Sequence, residues 1–345
     1  MTHLRRGMLV AGLALVVVGC GLASPAGSPS PSRIGHPSPS VIVTPTARPR
    51  RTLRPTITPA ATPDPTATAP PPIPGLSSLT GTDGRLTILL LGSDARAGLA
   101  GERTDVIMVM TIDPATGEVS LVSLPRDMRN VPTAPGQTYP VQVTGLFQSY
   151  ELAGLSRTQA LSKMKQALGY AFGIEIDYYA IIKFTGVINL IDRIGGVDVT
   201  LAARFDDHTP PISRLDHGKG LSLRKGVNHL DGAEALAFAR SRHTTSDYDR
   251  SRRQHVLLVA VTAKVRQSGM DAIVPLAQFA ASQIQTDVPL TALPTLYALA
   301  QGANLDTYRS VVLGPSKFAS GGSILYSIYI RLGAVRALFQ RILGP

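Results

Sequence analysis

The 345-residue sequence is 44% hydrophobic and 17% charged, with a formal net charge of +11, which allows a core in one large domain or two small ones. A basic chain favours an anionic partner such as nucleic acid, anionic lipid or a phosphorylated substrate. The absence of tryptophan, the few aromatic residues near the arginines and the single cysteine, which forbids zinc-finger spacing, argue against nucleic acid.

Residues 1–20 predict an export signal. Two arginines precede an apolar run that ends at Gly19 and is shorter than the roughly 20 residues of a membrane span. Cys20 follows a Val-Val-Gly tripeptide, which resembles a bacterial lipobox, whose cysteine is acylated and becomes the mature N-terminus. The alternative is an uncleaved signal anchor. Both predict a protein at the outer face of the bacterial cytoplasmic membrane, and the lipobox predicts attachment through lipidated Cys20.

Residues 21–84 are rich in Pro, Ser and Thr and predict a disordered linker. The stretch from Pro25 to Pro74 holds 15 of the 27 prolines, and such a segment cannot bury enough apolar area to offset its ordering entropy. We therefore predict a partly polyproline-II stalk that lifts a folded domain, residues 85–345, away from the membrane.

Apolar periodicity predicts alternating strands and helices after Arg85. The predicted strands are 86–91, 105–112, 118–124, 178–184, 197–201 and a last one around 310–313. The predicted helices are 156–172, 186–194, one opened by a capping box at Asp231, one from Arg250 to about Arg266 with Asp249 as its N-cap, and two or three within 271–345. This order predicts an α/β fold, a three-layer α/β/α sandwich, and a hairpin of the second and third strands makes its central sheet mixed.

Charged residues stand at the ends of the first three strands. Asp94 and Arg96 follow the first, Arg103 and Asp105 begin the second, and Arg126 follows the third. If the first two strands are neighbours, both aspartates lie at one sheet edge, where two carboxylates suit a Mg²⁺ that also binds phosphate oxygens. The alternative is that these are ordinary turn or cap residues.

The stretch from Ala239 to Gln254 contains five arginines, Arg240, Arg242, Arg250, Arg252 and Arg253. Arg250, Arg253 and Gln254 share one face of a first helical turn, and the preceding helix end can bring two more guanidinium groups to the same point. Forked guanidinium groups match phosphate oxygens, so a diphosphate is one candidate ligand. Salt bridges with Asp247 and Asp249 are the alternative reading.

The sequence contains no P-loop, no Gly-x-Ser-x-Gly nucleophile elbow and no His-Glu-x-x-His motif. These absences argue against a P-loop NTPase, an α/β-hydrolase and a zinc protease.

Seven short motifs occur in a fixed order and together resemble the LytR–CpsA–Psr family of cell-wall phosphotransferases. They are Leu89–Asp94, Arg103–Asp105, Ser123–Asp127, Ile194–Asp198, Leu230–Leu236, Ala239–Arg242 and Asp249–Gln254. The resemblance covers about residues 85–265 and is weaker beyond. It implies an α/β/α domain outside the membrane that moves a glycopolymer phosphate from a polyprenyl-diphosphate carrier to a cell-wall hydroxyl, expected to belong to peptidoglycan, with Mg²⁺.

The resemblance also implies roles for single residues. Asp94 and Asp105 are implied as the carboxylates that bind Mg²⁺. The implied diphosphate ligands are Arg96, Arg103, Arg126, Arg240, Arg242, Arg250 and Gln254. The implied catalytic residues are Arg126, Arg240, Arg242 and Asp105.

The resemblance further implies an apolar lipid pocket between the sheet and its helices. Two features depart from the family pattern. Val141–Phe147 replaces a Lys-Ile-Asn-like stretch, and a predicted lipid anchor replaces the usual transmembrane helix.

Two other functions remain open at this point. A non-catalytic binder of polyprenyl-phosphate lipid would keep the arginines and need no metal. A pyrophosphatase would use the same site with water as acceptor. A transcriptional regulator is disfavoured by the export signal.

Overall fold

The structure is a computed structural model that describes residues 73–94, 102–207, 220–242, 246–268, 270–315, 317–321 and 328–344. The export signal, Cys20, Arg96 and most of the predicted stalk lie outside the described residues. The last part of the predicted linker, residues 73–84, belongs to the folded domain, since Leu79 is 1% exposed and Pro74 accepts a hydrogen bond from Thr295 Oγ1 at 2.6 Å.

The described residues form fifteen strands and eight α-helices. The strands are β1 Leu86–Ser93, β2 Thr104–Ile112, β3 Val119–Leu124, β4 Met128–Arg129, β5 Val131–Ala134, β6 Gln137–Tyr139, β7 Tyr178–Lys183, β8 Val197–Leu201, β9 Phe205–Asp207, β10 Leu221–Leu223, β11 Gly226–Leu230, β12 Ile284–Thr286, β13 Arg309–Val312, β14 Ala319–Gly321 and β15 Ile328–Ile330. The helices are α1 Leu146–Leu152, α2 Arg157–Phe172, α3 Phe184–Arg193, α4 Gly232–Arg240, α5 Asp247–Gln267, α6 Met270–Gln283, α7 Leu293–Gly302 and α8 Leu332–Leu343.

Six strands form the central sheet in the order β12-β7-β1-β2-β3-β13. The β1–β2, β2–β3 and β12–β7 pairs are antiparallel, whereas β7 and β13 run parallel to β1 and β3. The predicted hairpin and the mixed sheet are therefore confirmed. The strand predicted at 197–201 exists as β8, but it pairs with β11 in a separate two-stranded sheet.

Helices cover both faces of this sheet. Alternate residues of β1 point to opposite cores, as strand geometry requires. Ile88 and Leu90 pack with α3, α4, α5, α6 and α7, whereas Leu89 and Leu91 pack with α1, α2 and α8. The predicted three-layer sandwich is confirmed.

The start of α5 differs from the prediction. Ser246, not Asp249, is the N-cap. Its hydroxyl accepts a hydrogen bond from the Asp249 backbone N–H, and the Asp249 carboxylate accepts one from the Ser246 backbone N–H, which together form a capping box. The helix therefore begins at Asp247, about one turn before the predicted start at Arg250. Asp247 and Asp249 now lie in the first turn, where negative charge is favourable.

Across the described ranges, the helices are too short or too polar to cross a bilayer.

Candidate active site at the edge of the central sheet

The ends of β1, β2 and β3 meet at one sheet edge. Because β1 and β2 are antiparallel neighbours, Ser93 is paired with Thr104 and the Asp94 N–H donates to the Arg103 carbonyl at 3.1 Å. The end of β3 lies on the other side of β2. The predicted meeting of these strand ends is observed, and it places Asp94 beside the start of β2.

Asp105 lies at the centre of this edge and is 4% exposed. Its Oδ1 accepts a hydrogen bond from Thr144 Oγ1 at 3.0 Å and lies 3.2 Å from Arg126 Nη1. Burial raises the pKa of Asp105, and the charge of Asp94 raises it further, while Arg126, Arg250 and the Thr144 bond lower it. Residues far apart in the chain thus act on one carboxylate.

Arg250 brings an almost fully buried guanidinium to this site, at 2% exposure. Its Nη2 donates to Asp247 Oδ2 at 3.0 Å. Its Nε and Nη1 are buried and, within the described part of the chain, make no hydrogen bond. Buried donors without acceptors are costly, and a guanidinium cannot deprotonate to escape that cost. An anion bound beside Arg250 would supply the acceptors that these donors lack.

Arg240 and Arg242 extend the positive cluster from the end of α4. Arg240 is 6% exposed and its guanidinium lies 4.8 Å from the centroid of the Phe184 ring. Arg242 Nη1 lies 3.7 Å from Asp247 Oδ1. Asp247 therefore stands between Arg242 and Arg250 and neutralises only part of their charge.

Arg252 also pairs with an acidic neighbour, but its side chain points to solvent. Arg252 is 61% exposed and forms an i,i+3 pair with Asp249 at 2.7 Å. An exposed pair of this kind contributes little to stability. The salt-bridge interpretation thus accounts fully for Arg252, and only in part for Arg242 and Arg250.

Arg253 and Gln254 join α5 to the end of α4. Arg253 donates to the carbonyls of Phe238, at 2.8 Å, and Ser241, and Gln254 Nε2 donates to the Ala239 carbonyl at 3.3 Å. Both side chains are buried. A cation at the last carbonyls of a helix is favourable, so these two residues hold the helices that carry the other arginines.

A cavity of about 180 Å³ opens beside Asp105. Thr144, which donates to Asp105, is also part of its wall. The polar side chains of its lining are Arg103, Tyr139, Gln142, Thr144, Gln148 and Ser149. Arg103, which directly precedes β2, therefore belongs to this cavity. The apolar lipid pocket implied by the resemblance stays a prediction.

Sequence reasoning did not identify Thr144 or Asp247 as parts of the site. Thr144 lies in the Val141–Phe147 stretch that departs from the family pattern, and its side chain reaches Asp105 because residues Val143–Gly145 form a 3-10 turn beside β2. The sequence offers two hints to Thr144, its hydroxyl side chain and its position in a stretch that departs from the family pattern. Asp247 was assigned only as a salt-bridge partner.

The carboxylates fit a Mg²⁺ ion that also binds substrate. Asp94 and Asp105 are close enough for the charge of one to raise the pKa of the other. In the described ranges, no group of three or more His, Cys, Asp or Glu side chains could enclose a metal by itself. Mg²⁺ commonly takes one or two carboxylates and completes its shell with phosphate oxygens and water, which is what this pair offers.

Comparison with known proteins gives concordant matches. The LytR_cpsA_psr family matches residues 65–317. Polyisoprenyl-teichoic acid–peptidoglycan teichoic acid transferase TagV of Bacillus subtilis (strain 168) is 30% identical over 243 residues, which are 67% of this chain and 58% of TagV. The probable cell wall biosynthesis protein LcpB of Corynebacterium glutamicum is 32% identical over 196 residues, 52% of this chain and 42% of LcpB. The chain thus spans about half the length of these relatives.

Solved structures share the fold. The crystal structure of B. subtilis TagV has a TM-score of 0.60 at 24% identity and covers 76% of this chain and 98% of its own. A structure of TagT bound to LIIa-WTA has a TM-score of 0.57 at 22% identity and covers 76% of this chain and 91% of its own.

Proposed function

Since the chain belongs to the LytR–CpsA–Psr family, we propose that it is an extracytoplasmic phosphotransferase that moves a glycopolymer phosphate from a polyprenyl-diphosphate carrier to a peptidoglycan hydroxyl. The relative TagV is named as a transferase that moves teichoic acid from a polyisoprenyl carrier to peptidoglycan. The observation that carries the proposal here is Arg250, a buried guanidinium with two unsatisfied donors beside the Asp105 carboxylate. A diphosphate supplies the acceptor oxygens that these donors lack.

The arginines act as a preorganised positive cluster. In the transfer, the acceptor oxygen forms a bond to the phosphorus that carries the glycopolymer, the bond from that phosphorus to the bridging oxygen breaks, and polyprenyl phosphate leaves. Arg126, Arg240, Arg242 and Arg250 neutralise charge on the phosphoryl oxygens as the leaving group departs. Fixed charges in a buried site stabilise such a transition state more than they do in water.

An alternative role for Asp94 or Asp105 is that of general base, which takes the proton of the acceptor hydroxyl. Burial raises the pKa of Asp105. Arg126 and Thr144 fix the orientation of that carboxylate.

Mg²⁺ is the proposed cofactor, held by Asp94 and Asp105. When bound, it would supply charge neutralisation at the phosphoryl oxygens. Gln254 remains a proposed diphosphate contact, and together with Arg253 it holds α4 and α5 together. Arg96, outside the described residues, and Arg103 remain proposed contacts.

Two further features belong to the proposal. Water in place of the acceptor hydroxyl gives a pyrophosphatase side activity. The predicted export signal and Cys20 support a lipoprotein at the outer face of the cytoplasmic membrane, where lipid-linked glycopolymer and peptidoglycan would meet.

The double substitution of Arg240→Ala and Arg242→Ala tests this function. With a polyprenyl-diphosphate-linked glycan, Mg²⁺ and peptidoglycan, we expect wild-type protein to attach labelled glycan to the wall polymer and the double variant to lose this by at least about a hundredfold. The far-ultraviolet circular dichroism of both proteins should match.

Arg252→Ala is the matched control, because Arg252 lies in the same arginine run but is 61% exposed. It should keep wild-type transfer. Unaltered transfer by the double variant contradicts the assignment of the arginines. Donor binding by the wild-type protein without any transfer or phosphate release would instead indicate a lipid-binding protein.

A further inference from the structure

The cavity beside Asp105 differs chemically from the arginine cluster. It is bounded by β6, the Val143–Gly145 turn, α1 and the start of β2, and we call it the Thr144 cleft. Among its described lining residues, Arg103 is the single charged side chain. Two amides, Gln142 and Gln148, and the hydroxyls of Tyr139 and Ser149 supply the rest of its polar lining apart from Thr144.

This lining suits a neutral, hydroxyl-rich ligand. Side-chain amides and hydroxyls both donate and accept hydrogen bonds, as sugar hydroxyls do. Burial raises the pKa of Tyr139, so its phenol stays protonated and can donate at neutral pH. A diphosphate, in contrast, calls for several guanidinium groups, and the described lining of this cleft offers one, Arg103.

The size of the Thr144 cleft also suits this ligand. Its volume of about 180 Å³ is enough for a single sugar ring. Val141 and Leu152 belong to the lining and are 44% and 75% exposed, so they offer apolar surface to the C–H face of a ring.

The position of the cleft links it to the chemistry. Thr144 is part of its wall, and its Oγ1 donates to Asp105 Oδ1 at 3.0 Å. A ring held in the cleft therefore places a hydroxyl next to the Asp105 carboxylate. Arg126 Nη1 lies 3.2 Å from the same carboxylate oxygen and is proposed to contact the diphosphate.

We propose that the Thr144 cleft is the acceptor subsite and binds the sugar ring of the peptidoglycan strand whose hydroxyl attacks the phosphorus. This inference rests on the proposed function. The alternative source of the same chemistry is the first sugar of the donor glycopolymer, which the experiment below distinguishes.

The test uses Gln142→Ala together with Gln148→Ala in the otherwise native chain. Two amides that face a ligand are lost, while Asp105, Thr144 and the arginines are unchanged. With a soluble peptidoglycan glycan oligomer as acceptor, we expect the KM for the oligomer to rise at least about tenfold. The KM for the polyprenyl-diphosphate-linked donor and the rate at which water hydrolyses that donor to polyprenyl phosphate should be unchanged. Gln166→Ala, which removes an exposed glutamine of α2 outside the cleft, is the matched control and should leave all of these quantities unchanged.

A binding measurement separates this inference from the proposed function. Titration of the oligomer into wild-type protein without donor should show saturable binding that the double variant weakens and the control does not. An unchanged oligomer KM and unchanged oligomer binding would overturn the assignment. So would a rise in the donor KM instead, which would place the donor sugar in the cleft. If the wild type binds the oligomer but transfers nothing to it, the cleft stands as a glycan site and the proposed function fails.

Discussion

Arg250 shows at the scale of one residue why geometry and not charge alone matters in this site. Within the described ranges, Nη2 is the one guanidinium nitrogen with a hydrogen-bond acceptor, Asp247 Oδ2 at 3.0 Å, while Nε and Nη1 stay buried without one. Arg250→Lys keeps the positive charge but removes the planar fork that two phosphate oxygens require. We expect kcat for transfer to fall about a hundredfold, as for loss of one preorganised donor in other enzymes.

Arg252→Lys is the control for that substitution, since Arg252 lies on the exposed side of the same helix. It should leave kcat unchanged. The melting temperatures of both variants are measured alongside, so that a folding defect at buried position 250 is visible. A folded Arg250→Lys protein with wild-type kcat would show that charge suffices and that the fork has no role.

At the scale of the element, the N-terminus of α5 positions two site residues at once. Ser246 caps the helix through a capping box with Asp249, and the first turn then carries Asp247 and Arg250. Ser246→Ala removes the side-chain acceptor of that cap, which should cost about 1 kcal/mol of unfolding free energy. Because the frayed turn holds Arg250, we also expect a several-fold loss of kcat for transfer.

Ser282→Ala serves as the control, because Ser282 is an exposed serine in the last turn of α6 and is remote in sequence from this cap. Urea denaturation and a transfer assay on both variants give the comparison. A loss of stability at Ser246 without any loss of activity would mean that the site does not depend on this cap.

At the scale of the whole molecule, the sequence predicted the sandwich well because its strands are continuous apolar runs and its helices carry recognisable caps. The N-cap of α5 was missed because Asp249 and Ser246 both fit a cap, and only the backbone shows which one ends the extended segment. The meeting of Asp94 with Asp105 was predictable once two strands were taken as neighbours. The contact between Thr144 and Asp105 was not predictable, because it depends on the direction of a turn that no local sequence pattern determines.

The buried His255 joins α5 to the central sheet and links the stability of the whole fold to pH. Its Nε2 lies 2.8 Å from Ser123 Oγ on β3 and its Nδ1 lies 2.6 Å from Ser310 Oγ on β13, with the ring fully buried. Desolvation by burial, helped by the charge of Arg252, lowers the pKa of His255 to about 3. The neutral ring is therefore the form that the folded protein holds.

The sign of the effect follows from proton uptake. Above pH 6.5 the ring is neutral in both states and contributes no pH dependence. Between pH 6.5 and about 3 the unfolded chain binds a proton that the folded chain excludes, so stability falls as the pH falls. Asp177 opposes this trend, because burial raises its pKa to about 6 and the folded state takes up its proton first.

His255→Gln isolates the contribution of the ring. The unfolding free energy of wild type and variant is measured by urea denaturation between pH 4 and 7.5. The difference between the two proteins should be constant above pH 6.5 and shrink by about 1.4 kcal/mol for each pH unit below it, because only the wild type loses stability through this group. A difference that stays flat across the range would mean that the ring takes up a proton in the folded protein, and that α5 tolerates a charge against the sheet.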